Sequence, residues 1–523
     1  MKILIILASL LALNSTPKEY KNPVLFSDYS DPDIIRVGDD YWMTSSSFTC
    51  YPGLQILHST NLVDWEIVGA GLPSIMPGSE YDKPQHGNGV WAPCIRYHDG
   101  TYWIFWGDPD RGIFQIHTTD PRGKWSEPHC VLEGKGMIDT SPLWDDDGRV
   151  YLVHAWAGSR AGFKSILSVC ELNADCTEVI GDQVLVFDGK KNSNDTVEGP
   201  KFYKRNGWYY IFAPSGGVKE GWQLVLKSRN VYGPYEWRNV LHQGNTDIHG
   251  PHQGGWVTDA AGDSWFMHFE DRYAWGRVCH LQPMTWFEDG WCIIGEDQNG
   301  DGIGEPVSKY RRPTVAIDAK PEGLSALATG TGFTGTSIPL NWQWEANPKF
   351  YWYMPNPELG CLRLNCIQSP QEWVNLRDTP NILAQKVVGP KMSFTTKLVY
   401  RPSYESERVG VIVTGRDYST IELNYDGEQI HLVRRDCINA NKGAKEVILE
   451  STPLPTDKFN TVHIKVDVKE GCYCTFSYSL DGKKFRKFGP EFKAREGDWI
   501  GAKIGYFAIS DIKKNDGGSV EVY

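Results

Sequence analysis

The sequence has little helical periodicity. Apolar residues do not recur at i, i+3, i+4 and i+7 over any long stretch, which excludes a helical architecture. Positive charge is also in deficit: 53 Lys and Arg stand against 65 Asp and Glu, for a net −12. Phosphate recognition needs a basic surface, so nucleic acid and anionic membranes are excluded as partners. Beyond the first residues no apolar run is long enough to cross a bilayer. The twelve cysteines, scattered from Cys50 to Cys474, form no paired C-x-x-C set with zinc spacing. At this chain length a disulfide framework is not expected, and most of them read as buried small hydrophobes.

The chain opens MKILIILASLLALNSTP. One lysine, a short apolar run and then small and polar residues have the layout of a secretory signal peptide over residues 1–16. No cysteine follows the run, so a lipid anchor is not supported. The expectation is export to the periplasm or the medium, without membrane insertion.

What the chain does have is β-structure. At 523 residues it is too long for one ordinary core, so two domains are expected. Short runs rich in Val, Ile, Tyr and Trp alternate with Gly, Asp and Asn pairs. Five runs share one layout of strand, tight turn and aromatic strand: DPDIIRVGDDYWMTSS, WAPCIRYHDGTYWIFW, DTSPLWDDDGRVYLVHA, EGPKFYKRNGWYYIFA and GPHQGGWVTDAAGDSWFMHF. Their turns are hairpin chemistry. Their spacing of roughly fifty residues is that of propeller blades. The expected fold is all-β, a five-bladed β-propeller over 17–318. Residues 319–335, rich in Gly, Pro, Ser and Thr, read as a linker. Alternating strands over 336–523 read as a β-sandwich of jelly-roll or concanavalin-like type.

A propeller gathers the leading residues of its first strands around one channel. Those residues include Asp31, Trp91, Asp139, Glu198 and His252. Hydrolysing a glycosidic bond with inversion needs two carboxyl groups on opposite faces of a sugar, one to deprotonate water and one to protonate the leaving oxygen. A third acid nearby can hold the donor's proton on. The aromatic fraction, 13% with 21 Trp and 25 Tyr, suits a sugar binder, because a sugar's apolar face stacks on an aromatic ring.

NPVLFSDYSDPDIIRVGDDYW, MIDTSPLWDDDGRVYL and TVEGPKFYKRNGWYY occur in that order, each on an expected first strand. They resemble the acid motifs of glycoside hydrolase family 43, the β-xylosidases and α-L-arabinofuranosidases. The resemblance runs over about residues 20–310, and the NWQWEANP start of the C-terminal region resembles the sandwich attached to many members. It implies that Asp31 is the general base, Glu198 the general acid and Asp139 the acid that orients and tunes the donor. It further implies a substrate pocket with Arg277, Phe48, Trp91 and His252. His249 is a neighbour that could take the place of His252. No cofactor is required on this reading. A structural calcium in the channel stays open, though no dedicated loop of oxygen ligands is present.

Blade three carries an additional polar loop, HAWAGSRAGFKSIL, with Arg160. Rim loops shape the leaving-group side of a pocket. This loop tilts the expectation toward an exo-acting α-L-arabinofuranosidase on arabinose-decorated hemicellulose of plant cell walls (xylan, xyloglucan, arabinan). A β-D-xylosidase, or an enzyme cleaving both sugars, is the alternative. A non-catalytic carbohydrate-binding propeller is the third reading, disfavoured because all three acids are present.

Overall fold

The computed structural model describes residues 18–370, 372–455, 460–511 and 516–523. The leader expected over 1–16 lies outside the described residues. Five antiparallel sheets follow one another along the first part of the chain, in simple up-and-down order. Their first strands are Asp33–Val37, Trp91–His98, Met137–Trp144, Lys201–Arg205 and His252–Thr258. Each is followed by a hairpin partner and two further strands, which makes five propeller blades. The hairpins turn where the sequence placed Gly with Asp or Asn: Gly38, Gly100, Gly148, Gly207 and Gly262 all have positive φ, a conformation open to glycine at no steric cost.

A ring of blades must be closed. Glu19–Lys21 pairs with Lys309–Arg311, and Leu25 bridges to Cys279 in blade five. The Asn22 amide donates to the Leu281 and Val307 carbonyls, and its oxygen accepts from the Leu281 N–H. The N-terminal segment is thereby fastened to the last blade.

Neighbouring blades are tied at their first strands. Asp33 Oδ2 accepts from the Ile95 N–H at 2.8 Å and from Arg96 at 2.6 Å. Ser141 Oγ accepts from the Phe202 N–H at 3.0 Å. The second acid of the S-D-P-D run is therefore a clamp between blades one and two.

Two eight-stranded sheets form the C-terminal sandwich. Thr461–Lys469 alternates between buried and half-buried positions, as a strand with one covered face must. Lys503–Ser510 is buried throughout, because its sheet lies between the other sheet and the propeller. The domains join by backbone bridges, Tyr51 to Trp344 and Ser27 to Val388. Ala274, Trp275 and Val278 of blade five share the sandwich's hydrophobic cluster. Along 319–335 the chain is packed against both: Leu324–Ser325 adds an edge strand to blade one, and Phe333 is buried in the sandwich core. All twelve cysteines are free thiols, and ten of them are buried.

Candidate active site

The entries of the first strands share a distortion. Asp31 (φ 53°), Ala92 (φ 32°), Asp139 (φ 57°), Gly199 (φ 59°) and Gln253 (φ 41°) all lie in the left-handed region. Pairing registers slip between Trp91 and Cys94, Ile138 and Ser141, and His252 and Gly254. These are β-bulges. In a regular strand consecutive side chains point to opposite faces. A bulge re-aims one of them, so that both members of each pair, Trp91–Ala92, Ile138–Asp139 and His252–Gln253, line one cavity. A non-glycine residue in this conformation costs on the order of 1–2 kcal/mol, which the surrounding ring must outweigh.

The cavity is lined by Asp31, Asp139 and Glu198 from three blades, with Trp91, His252 and Arg277 among the others. The acids do not occupy equivalent positions. Asp31 and Asp139 are themselves the left-handed residues, whereas Glu198 precedes the left-handed Gly199. A Cβ at Gly199 would come within 2.8–3.0 Å of Gln253 and Pro214, so glycine is required there on two counts.

Asp31 is held from two sides. Arg277 Nη1 donates to Oδ1 at 2.9 Å, and Ser46 Oγ donates to Oδ2 at 2.5 Å. Ser46 Oγ in turn accepts from the Ala92 N–H at 2.7 Å. Asp28 Oδ1 accepts from the Arg277 N–H at 2.9 Å, which fixes the arginine's backbone. Asp139 Oδ2 accepts from the Gly199 N–H at 2.8 Å, joining the third acid to the strand entry that carries Glu198.

The electrostatics follow from burial and like charge. Desolvation pushes the Asp139 carboxyl far above the usual carboxylate range, and the Glu198 and Asp31 charges push it further. A proton on this trio belongs to the coupled group rather than to one oxygen. The Glu198 side chain is 29% exposed and that of Asp31 is 8%, so Glu198 is the acid that meets the open mouth.

His252 Nε2 lies 3.4 Å from Glu198 Oε1, and neither ring nitrogen makes a hydrogen bond among the described residues. His249 turns elsewhere: its Nδ1 is 3.1 Å from the Lys219 carbonyl and its Nε2 3.5 Å from Glu270. Beneath lie His268, His280 and Glu270. Glu270 is already bonded to Arg272 and His280. Among the described residues no group of three or more His, Cys, Asp or Glu side chains is placed to hold a metal. Calcium takes six to eight oxygen ligands. A nitrogen-rich set with its one carboxylate engaged does not fit a directly ligated calcium.

Phe48 and Trp91 stand in the cavity wall. Trp499 and Ser46 are additions that sequence reasoning missed. Trp499 comes from the sandwich, 6.2 Å from Trp91 between ring centroids, with the Arg277 guanidinium 5.7 Å from its own ring. A lone Trp in a sandwich loop carries no local signal of a site. Ser46 sits in a run of three serines, of which only the fold selects one. Arg160 of the blade-three loop stacks over Trp91 at 5.5 Å and bonds Asn88 and Asp110, which fixes that loop to the rim.

Larger hollows lie beside blade one, about 590 Å³, and at the channel's opposite mouth, about 400 Å³. Neither contains any of the three acids.

Comparison with known proteins agrees with this architecture. The chain is 33% identical over 490 residues to a putative β-xylosidase of Xylanibacter ruminicola, covering 93% of this chain and 85% of that one. It is 26% identical to a non-reducing end α-L-arabinofuranosidase of Bacteroides ovatus, covering 83% and 82%. A crystal structure of a family 43 protein from Bacillus licheniformis superposes with a TM-score of 0.82 at 25% identity, covering 96% and 98%. The sequence model of the β-xylosidase C-terminal concanavalin A-like domain matches residues 331–522. That of glycosyl hydrolases family 43 matches residues 20–292, and the chain belongs to this family.

Proposed function

We propose that this glycoside hydrolase is exo-acting and inverting, and that it removes terminal pentose, β-D-xylose before α-L-arabinofuranose, from plant hemicellulose oligosaccharides. The observation that carries the reading is the convergence of three carboxyl groups from three blades on one cavity, with Asp139 biased toward its protonated form.

In the proposed mechanism Asp31 is the general base. The charge of Arg277 and the hydroxyl of Ser46 orient its carboxylate, which takes a proton from the attacking water. Glu198, at the open mouth, gives its proton to the leaving oxygen. Asp139 shares the protons of this coupled trio and, through the Gly199 N–H, orients the strand entry that carries the donor. Phe48, Trp91 and Trp499 wall the sugar, Arg277 anchors it and His252 lies beside the acid. The cavity measures about 100 Å³. This is below the roughly 300 Å³ where pockets for larger ligands begin. It suits one ring and not a continuing chain, which supports exo action.

Two observations favour xylose. The 33% identical relative bears a β-xylosidase name, and the C-terminal match is to a domain described from β-xylosidase. The expectation of arabinose rested on the Arg160 loop and is retained as the second reading. The Bacteroides ovatus relative's name and the stacking of Arg160 on Trp91 support it. Parallel turnover of aryl β-D-xyloside and aryl α-L-arabinofuranoside tests the order. Xylose release is expected to be faster, and faster arabinose release reverses it. The leader-like residues 1–16 fit an exported enzyme, to be checked by N-terminal sequencing of the mature product.

A further inference from the structure

Between propeller and sandwich lies a cluster that hydrolysis does not use. Lys503 Nζ sits 2.7 Å from Cys50 Sγ and 2.9 Å from Glu345 Oε1. All three side chains are buried. Other thiol contacts in the chain are longer: Cys94 to Ser141 is 3.2 Å, Cys279 to the Tyr29 carbonyl 3.3 Å and Cys170 to the Leu152 carbonyl 3.8 Å. A cavity of about 20 Å³ opens beside the pair, lined by Cys50, Lys503, Glu345, Phe48, His86 and Asp498 among others. A space of that size admits one molecule as small as water. Dioxygen and hydrogen peroxide are of the same class.

We propose that Cys50 and Lys503 are a modification site, at which a small oxidant joins them through one bridging oxygen, Sγ–O–Nζ. Glu345 first takes a proton from the Lys503 ammonium. The thiol S–H and one amine N–H then break, and an S–O and an O–N bond form. With dioxygen, one oxygen atom enters the bridge and the other leaves as water, while sulfur and nitrogen together lose four electrons. With hydrogen peroxide, two molecules are consumed and three waters are released. The link staples the propeller to the sandwich. It lies close to the catalytic cavity on both sides, because Phe48 and Trp499 line that cavity and neighbour Cys50 and Lys503 in sequence. The inference rests on the domain interface and is independent of which sugar the enzyme takes.

The full chain is treated with hydrogen peroxide or kept in dithiothreitol, digested and measured by mass spectrometry. The expected product is a joined pair of peptides containing Cys50 and Lys503, heavier by roughly 14 Da, one oxygen gained and two hydrogens lost, and separated again by dithiothreitol. Cys50→Ser and Lys503→Arg should each abolish it, and the linked wild type should have a higher Tm than the reduced form. Recovery of Cys50 as an unmodified thiol after peroxide overturns the proposal. So does a sulfenic or sulfinic acid on an unjoined peptide, and so does a direct S–N link lacking the oxygen. Turnover of aryl xyloside by the reduced protein is a separate readout, so failure of the link leaves the hydrolase reading untouched.

Discussion

Arg277 Nη1 meets Asp31 Oδ1 at 2.9 Å across the seam where the last blade closes on the first. The two residues are 246 positions apart in sequence. Closure of the propeller and formation of the Arg277–Asp31 pair are thus one event. A truncation that opens the ring removes the arginine from the aspartate as surely as a substitution does.

Arg277→Ala leaves the buried Asp31 carboxylate without its cation and takes away the proposed anchor of the sugar. The expected loss in kcat/KM corresponds to about 2–5 kcal/mol of transition-state stabilisation. Steady-state kinetics on an aryl xyloside measure it. A loss under tenfold would show that Arg277 only packs. Ser46→Ala should cost less and act mainly on kcat, because the hydroxyl orients the base without reaching the substrate.

The roles of Asp31 and Glu198 separate by leaving group. Glu198→Ala should cost roughly 10²–10⁴-fold on xylobiose and much less on an activated aryl glycoside, which needs little protonation. Asp31→Ala should impair both alike. The same leaving-group dependence in both variants would show the assignment to be wrong. NMR of early product should show the inverted anomer, with only monosaccharide released.

Asp139 gives a pH dependence of definite sign. Its carboxyl is raised from 3.8 to about 8, chiefly by burial and then by Glu198 and Asp31. The contribution of a raised group to stability is fully present below its unfolded pKa and is lost as pH rises through the folded one. Wild-type stability should therefore decline between about pH 4 and pH 8. Asp139→Asn should flatten that decline and be more stable than wild type at pH 8, by about 1–3 kcal/mol. Its activity should fall, because the coupled carboxyl trio loses one of the groups that share its protons. Denaturant melts across pH check the first part, and an unchanged slope in the variant would contradict it.

Trp499 makes the sandwich part of the site. Trp499→Ala should lower kcat/KM by roughly 10–100-fold through loss of a stacking wall, with little change in Tm, because the ring is 51% exposed. Deleting residues beyond about 320 should give insoluble or inactive protein, because that cut exposes Ala274, Trp275 and Val278, which pack in the sandwich cluster. A soluble and fully active propeller alone would refute the dependence.

Much of this protein was legible in its sequence. Hairpin turns, strand alternation and the fifty-residue repeat are local signals, each set by neighbours along the chain, so they determined five blades, a sandwich and the order of the three acid motifs. They also placed Asp31, Asp139, Glu198, Trp91 and His252 within reach of one channel, whereas Arg277 and Phe48 were implied by the resemblance to family 43. The tertiary structure alone decided how these meet. The bulges that bring Ile138 and Asp139 to one cavity are fixed by pairing with the adjacent strand, and the repeat pattern carries no trace of the one-residue offset between Asp139 and Glu198. Ser46 was selected from three serines by the position of the Ala92 N–H on another blade. Trp499 reached the pocket because a second domain docked, and the contacts that dock it, such as Tyr51 with Trp344, join residues whose separation in sequence leaves no periodic mark.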